Sequence, residues 1–133
     1  MKKNKILIFE DEWKTIKGSF ELANIYAFNN ELVFINKNKS QDVSYNSWKD
    51  LYDAVFIDIT LAKNTEWDGF NILKEIYSKK LFPLNKIIIL TGNSKVKDKL
   101  NEMSINSELI KILYKPISFE ILANELKQIL SIE

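Results

Sequence analysis

Four strand-like apolar runs of the chain end in polar side chains of complementary type: the acids Glu10 and Asp11, the acid Asp58, the hydroxyl of Thr91 and the ammonium of Lys115. A carboxylate at the end of a buried strand costs free energy unless a partner compensates its charge. If these strands run parallel, their carboxyl ends meet at one edge of the sheet, where open α/β folds bind ligands. The residue types therefore predict one shared site that combines acids, a cation and a hydroxyl.

Composition limits the chemistry that such a site can perform. The 133 residues include 19 Lys and Arg against 18 Asp and Glu, so the net charge of +1 gives no general attraction to nucleic acid or to an anionic membrane. The chain has no histidine, which removes the commonest general base and metal ligand. It also has no cysteine, which excludes thiol and disulfide chemistry. Carboxylates, a hydroxyl and an ammonium remain as the reactive groups.

The length of the chain predicts a single domain over residues 1–133. The apolar stretch at Ile6–Phe9 is too short for a signal peptide and ends at three acidic residues. The sequence has no apolar run long enough to span a bilayer. We therefore expect a cytoplasmic protein without a membrane or nucleic-acid partner.

The apolar pattern alternates between strand and helix along the chain. Five strands are predicted, at Lys5–Phe9, Glu31–Ile35, Ala54–Ile59, Lys86–Thr91 and Leu109–Tyr114. Five helices are predicted with them: Trp13–Ala27, a short helix near Ser47–Tyr52, and three that begin at the capping residues Asp68, Ser94 and Ser118. This alternation implies right-handed crossovers, and hence an α/β fold whose parallel sheet has helices on both faces.

Taken together, these residues resemble the receiver domain of bacterial two-component response regulators, of the chemotaxis-regulator type. The matching segments, in the order in which the family has them, are Ile8–Glu12, Val55–Ile59, Asp68–Phe70, Ile89–Gly92 and Tyr114–Pro116. The resemblance covers the whole chain. It implies the flavodoxin-like fold, a five-stranded parallel sheet with strand order 2-1-3-4-5.

The resemblance also implies a role for each residue of the site. Asp58 is the expected phosphoacceptor, which would form an aspartyl phosphate. Lys115 is expected to pair with Asp58 at rest and with a phosphoryl oxygen after transfer, and Thr91 to bind another phosphoryl oxygen. The peptide bond Lys115–Pro116 is expected to be cis. The expected cofactor is Mg²⁺, and its expected ligands are Glu10, Asp11, Asp58 and the backbone carbonyl of Thr60.

The function implied by the resemblance is that of a stand-alone phosphoacceptor domain. It would take a phosphoryl group from a sensor histidine kinase or a histidine phosphotransfer protein, and signal to an unknown downstream protein by contact. It would not be an enzyme beyond its own phosphorylation and dephosphorylation. One alternative is a degenerate receiver that acts as a scaffold without phosphorylation. A flavodoxin is another, although the acids at positions 10–12 would repel an FMN phosphate. A phosphatase with an aspartyl-phosphate intermediate is the third, although it would usually have an acid in place of Thr60.

Three features depart from the pattern of the family. Ala62 stands where a proline is usual, and the loop that precedes Gly69 is longer than usual. Ile112 occupies the place of the usual switch aromatic, and we expect Tyr114 to lie on the opposite strand face from it. Because isoleucine is stiff and has no ring to move, we expect a muted conformational change, with the loop Ala62–Trp67 contributing to the output instead.

Overall fold

The computed structural model describes residues 4–10, 12–37, 51–59, 69–92 and 95–131. Within these residues, five strands form one sheet: β1 Lys5–Phe9, β2 Val33–Lys37, β3 Ala54–Asp58, β4 Ile87–Thr91 and β5 Lys111–Tyr114. Four α-helices accompany them: α1 Trp13–Phe28, α2 Gly69–Lys79, α3 Val96–Glu102 and α4 Phe119–Leu130. Two 3₁₀ turns, Leu84–Lys86 and Ser107–Leu109, come shortly before β4 and β5.

Every adjacent pair of strands is parallel, and the strand order is β2-β1-β3-β4-β5. The predicted topology is therefore confirmed. The order reverses between β1 and β3, so a crevice is expected at the carboxyl ends of these two strands. Glu10 follows β1 directly and Asp58 is the last residue of β3. The fold thus brings both acids to the point where sheets of this type bind ligands.

Alternate residues of the strands contribute to two hydrophobic cores, one on each face of the sheet. The central strands β1, β3 and β4 are buried on both faces, which explains why their sequences are continuously apolar. Helices α1 and α4 cover one face, where the core includes Ile6, Ile8, Phe20, Phe56, Ile88, Leu122 and Leu126. Helices α2 and α3 cover the other face, where the core includes Leu7, Phe9, Val55, Ile57, Ile72, Ile76, Ile89 and Leu100.

Strand β2 begins two residues later than predicted, so the prediction Glu31–Ile35 was wrong at both ends. The cause is the buried side chain of Asn24 in α1, which binds the backbone of Leu32. Asn24 Oδ1 accepts a hydrogen bond from Leu32 N at 3.0 Å, and Asn24 Nδ2 donates one to Leu32 O at 3.1 Å. Leu32 is thereby held in the turn that follows α1. The backbone amide of Val33, which opens the strand, donates to Asn4 O at 2.9 Å.

Strands β4 and β5 also begin later than the predictions Lys86–Thr91 and Leu109–Tyr114, because each 3₁₀ turn includes the first residues predicted to be strand. Strand β3 ends at Asp58, one residue earlier than predicted. The predicted cap of α4 is confirmed, since Ser118 Oγ accepts a hydrogen bond from Ile121 N at 3.2 Å. No helix within the described ranges has the length and apolar character needed to cross a membrane.

Three of the predicted helix features fall mainly or wholly outside the described residues. The capping residues Asp68 and Ser94 lie outside them. The short helix near Ser47–Tyr52 lies mostly outside them, although Leu51 is helical. These features remain predictions from the sequence.

Candidate functional site

Polar side chains from four strands meet at the carboxyl edge of the sheet, as the sequence predicts. Asp58 and Thr91 are the last residues of β3 and β4, and Glu10 directly follows β1; Glu10, Asp58 and Thr91 are 0%, 3% and 2% exposed. Lys115 follows β5, and its backbone N–H donates to Thr91 O at 2.8 Å. Burial of polar groups is unfavourable unless they have partners, so this concentration of them indicates a functional site rather than ordinary packing.

The ammonium group of Lys115 lies between the two buried acids. Its Nζ is 2.6 Å from Glu10 Oε1 and 3.5 Å from Asp58 Oδ2. The expected pairing with Asp58 is therefore present, but Glu10 is the closer partner. Burial lowers the pKa of Lys115, yet the contact with Glu10 and the charge of Asp58 outweigh this and raise the pKa above its ordinary value. The ammonium consequently stays charged. The peptide bond Lys115–Pro116 is cis, as expected.

The carboxyl group of Glu10 is the most strongly perturbed group of the site. Its pKa is raised from 4.5 to about 8. Burial is the largest cause, and Asp58 raises the pKa further through a hydrogen bond and through its charge, while Lys115 opposes the shift. At neutral pH Glu10 therefore holds a proton that an exposed glutamate would have lost.

The described part of the site fits a divalent cation. Glu10 and Asp58 share one ammonium, and burial together with Asp58 keeps a proton on Glu10, so a further positive charge would let both acids ionise. Glu10 Oε1 is buried and accepts no hydrogen bond of good geometry, although Lys115 lies close to it. Carboxylate oxygens are the ligands that Mg²⁺ prefers. The other expected ligands, Asp11 and Thr60, lie outside the described residues, and no cluster of three acids forms within them.

The raised pKa of Glu10 predicts that Mg²⁺ binding depends on pH. From pH 4.5 to about 8 the folded chain keeps a proton on Glu10 that the unfolded chain releases, so the stability that this carboxyl contributes declines as pH rises through that window. A Mg²⁺ ion that takes Glu10 as a ligand would have to displace the same proton. The affinity of the site for Mg²⁺ should therefore rise about tenfold per pH unit towards pH 8 and then level off.

Calorimetric titration with Mg²⁺ at several pH values would measure this dependence. Glu10→Gln serves as the control, because it cannot lose the proton and should bind weakly with a flat pH profile. A wild-type affinity that stays constant from about pH 6 to about pH 8 would contradict the assignment.

Gly69 has a role in the site that the sequence analysis did not assign. Its N–H donates to Ile59 O at 3.2 Å, which brings the start of α2 against the end of β3. A Cβ atom on Gly69 would overlap the carbonyl oxygen of Asp58 and the backbone of Ile59. The absence of a side chain at Gly69 therefore allows α2 to pack directly on the strand end that presents Asp58. The signal available in the sequence was a glycine near the predicted start of a helix, within the segment Asp68–Phe70 that resembles receiver domains.

The expected placement of Tyr114 was wrong. Residues two apart in a strand share a face, and the structure follows this rule. Ile112 packs on the core beneath α2 and α3, whereas Leu113 belongs to the core beneath α1 and α4. Tyr114 is therefore on the same face as Ile112 and is 45% exposed. An aromatic ring is thus present on this face, one residue before Lys115. The expected contribution of Ala62–Trp67 lies outside the described residues.

Comparisons with solved structures agree with the fold described above. No protein-family model and no curated protein matches the chain. Among solved structures, it is similar to a CheY-like response regulator receiver domain protein from Methanospirillum hungatei, with a TM-score of 0.70, 16% identity, and coverage of 97% of this chain and 94% of that one. It is also similar to the BeF3-activated N-terminal receiver domain of RstA from Klebsiella pneumoniae, with a TM-score of 0.68, 18% identity, and coverage of 97% and 100%. The chain has the receiver-domain fold of response regulators.

A two-component response regulator from Clostridium difficile has the same receiver fold, with a TM-score of 0.66, 21% identity, and coverage of 96% of both chains. The identities are low, but the similarity extends over almost the full length of each structure. In this fold the carboxyl edge of the sheet carries Glu10, Asp58, Thr91 and Lys115 of the present chain. The receiver fold, together with these residues, provides the basis for a functional proposal.

Proposed function

We propose that this chain is a phosphoacceptor receiver domain in which Asp58 takes a phosphoryl group, with Mg²⁺ as cofactor. The observation that carries the proposal is the position of Lys115 Nζ, 3.5 Å from the buried carboxylate of Asp58 and 2.6 Å from that of Glu10. Phosphoryl transfer depends mainly on positioning and on neutralisation of charge. A fixed ammonium beside a buried carboxylate nucleophile meets both requirements.

In the proposed reaction, a carboxylate oxygen of Asp58 attacks the phosphorus of a phosphohistidine. An O–P bond forms while the P–N bond of the donor breaks, and the imidazole nitrogen keeps the electron pair and takes a proton from water. Water later hydrolyses the acyl phosphate and regenerates the carboxylate. These 133 residues contain no histidine, so the proposed donor is a phosphohistidine outside them, that of a sensor histidine kinase or a histidine phosphotransfer protein.

Each neighbouring group has a task in this reaction. Lys115 would neutralise the charge of a phosphoryl oxygen, and the hydroxyl of Thr91 would donate a hydrogen bond to another. Bound Mg²⁺ would supply further neutralisation of charge, and the residues proposed to hold it are Glu10, Asp11, Asp58 and the carbonyl of Thr60. The phosphorylated domain would signal through contact with a downstream protein.

The alternative of a scaffold that works without phosphorylation gains no support from the site. Such a scaffold would have no use for two buried acids that share a single ammonium, because removing them from water costs free energy that one cation repays only in part. Nothing in the described cluster favours an FMN site either, because the charge of Asp58 at this edge of the sheet would repel a phosphate group. The phosphoacceptor function therefore accounts best for the residues that the fold assembles.

Incubation with acetyl phosphate and Mg²⁺, followed by intact-mass measurement, tests the proposal. We expect the mass of one phosphoryl group to be added, with no addition when Mg²⁺ is chelated or when Asp58 is replaced in Asp58→Asn. Asp53→Asn is the matched control, because Asp53 lies just before the other end of β3, where its Oδ2 accepts a hydrogen bond from Lys5 N at 2.9 Å. Equal modification of Asp58→Asn and Asp53→Asn would show that the acceptor is elsewhere.

A further inference from the structure

Asn36 lies near the carboxyl end of β2, the edge strand beside β1, and is in register with Ile8. Its Nδ2 donates hydrogen bonds to two backbone carbonyls of the β1 segment, Ile8 O at 3.2 Å and Glu10 O at 2.9 Å. Both acceptors are carbonyl oxygens, so the nitrogen of the amide, not its oxygen, must face them. A single side chain therefore holds both the end of β1 and the first residue after it.

These hydrogen bonds act at the place where the β1–β2 ladder ends. The backbone N–H of Glu10 donates to Lys37 O at 3.1 Å, so β2 holds both backbone polar groups of Glu10. The side chain of Glu10 is completely buried, and its Oε2 accepts a hydrogen bond from Glu12 N at 3.3 Å. With its backbone and carboxylate both held, Glu10 has little freedom to move.

We propose that Asn36 is a positioning residue for the metal and phosphoacceptor site, an inference that rests on the proposed function. It fixes the backbone from which Glu10 would present its carboxylate to the metal. Mg²⁺ requires near-ideal octahedral coordination, so a displaced ligand weakens binding strongly. Residues that orient metal ligands without contacting the metal typically change its affinity by about 10–100-fold.

The chain contains a matched control for Asn36. Asn24 is also an asparagine whose amide binds the β2 segment, through Leu32 N and Leu32 O, but near the opposite end of the strand from Glu10. We expect Asn36→Leu and Asn24→Leu both to lower the melting temperature. We expect only Asn36→Leu to raise the Kd for Mg²⁺ by about tenfold or more, as measured by calorimetry well below both melting temperatures.

Two further measurements separate positioning from general stability. The Mg²⁺ concentration that gives half-maximal phosphorylation by acetyl phosphate should rise for Asn36→Leu, while the rate at saturating Mg²⁺ stays near that of the wild type. Amide hydrogen exchange at Glu10 should be faster in Asn36→Leu than in Asn24→Leu, with or without metal. Asn36→Asp keeps the size of the side chain but loses both N–H donors, so it should behave like Asn36→Leu. It takes the place of the leucine variant if that variant does not fold.

The outcomes distinguish this inference from the proposed function. If the wild type neither binds Mg²⁺ nor becomes phosphorylated, the proposed function is wrong, and the inference that rests on it is overturned as well. If the wild type does both, but Asn36→Leu and Asn36→Asp bind Mg²⁺ as tightly as Asn24→Leu, the positioning role of Asn36 is wrong and the proposed function stands.

Discussion

The Lys115→Met variant should be phosphorylated by acetyl phosphate about 10²–10³-fold more slowly than the wild type at saturating Mg²⁺. Removing one preorganised group that stabilises developing charge typically lowers a rate by this much. Lys115 supplies the positive charge that the structure places 3.5 Å from Asp58. Methionine preserves most of the length and apolar body of the side chain, so the change isolates the loss of charge. Initial rates from a mass-spectrometric time course would measure the effect.

Lys111→Met is the control for this prediction. Lys111 is the first residue of β5, the strand that Lys115 follows, and its ammonium forms an ion pair with Glu125 at 3.5 Å, away from the carboxyl edge of the sheet. Its side chain is 49% exposed, and exposed pairs contribute little. The phosphorylation rate of Lys111→Met should therefore stay within about twofold of the wild type. If Lys115→Met is as fast as this control, the ammonium has no part in the transfer.

Gly69→Ala should lower the free energy of unfolding by about 3 kcal/mol, the upper part of the usual range for overpacking. The added methyl group would meet the backbone of Asp58 and Ile59 rather than a flexible side chain, so relief requires α2 or the end of β3 to move. Either movement shifts Asp58, and a misplacement of about 1 Å at a reacting group can cost about 10²-fold in rate. Urea unfolding and the phosphorylation time course would measure the two effects.

Gly18→Ala provides the opposite expectation in the same chain. Gly18 lies within α1, and a Cβ atom there would meet nothing within 4 Å. Alanine at this position should raise the free energy of unfolding by about 0.5–1 kcal/mol, because glycine is a poor helix former. Equal stabilities of Gly69→Ala and Gly18→Ala would mean that α2 does not pack tightly on the end of β3.

The sequence was most informative where each strand is buried on both faces. Strand β1 matched its predicted bounds, and β4 differed by one residue, because continuous apolar runs mark the interior of a parallel sheet. Prediction was poorer for β2, because the pair of hydrogen bonds between the Asn24 amide and the backbone of Leu32 decides where the strand begins. Such a contact between a helix and the segment after it leaves no periodic signal in the sequence.

The sequence by itself determined the α/β class with a parallel sheet and the placement of Glu10, Asp58, Thr91 and Lys115 at one edge of it, whereas the strand order came only from the resemblance to receiver domains. Alternating strands and helices permit few topologies, and parallel strands bring their carboxyl ends together. Only the tertiary structure decided that Lys115 lies nearer to Glu10 than to Asp58, and that burial together with Asp58 raises the pKa of Glu10 to about 8.

The contacts behind the proposed role of Asn36 and behind the packing of Gly69 were likewise visible only in the tertiary structure. An asparagine in an edge strand and a glycine at the start of a helix are ordinary features of a sequence. Their importance arises from contacts with backbone atoms of segments far away in the chain, the carbonyls of Ile8 and Glu10 for one and the backbone of Asp58 and Ile59 for the other. The residue types that supply the contacted backbone atoms do not reveal such contacts, because every residue has a backbone carbonyl whatever its side chain.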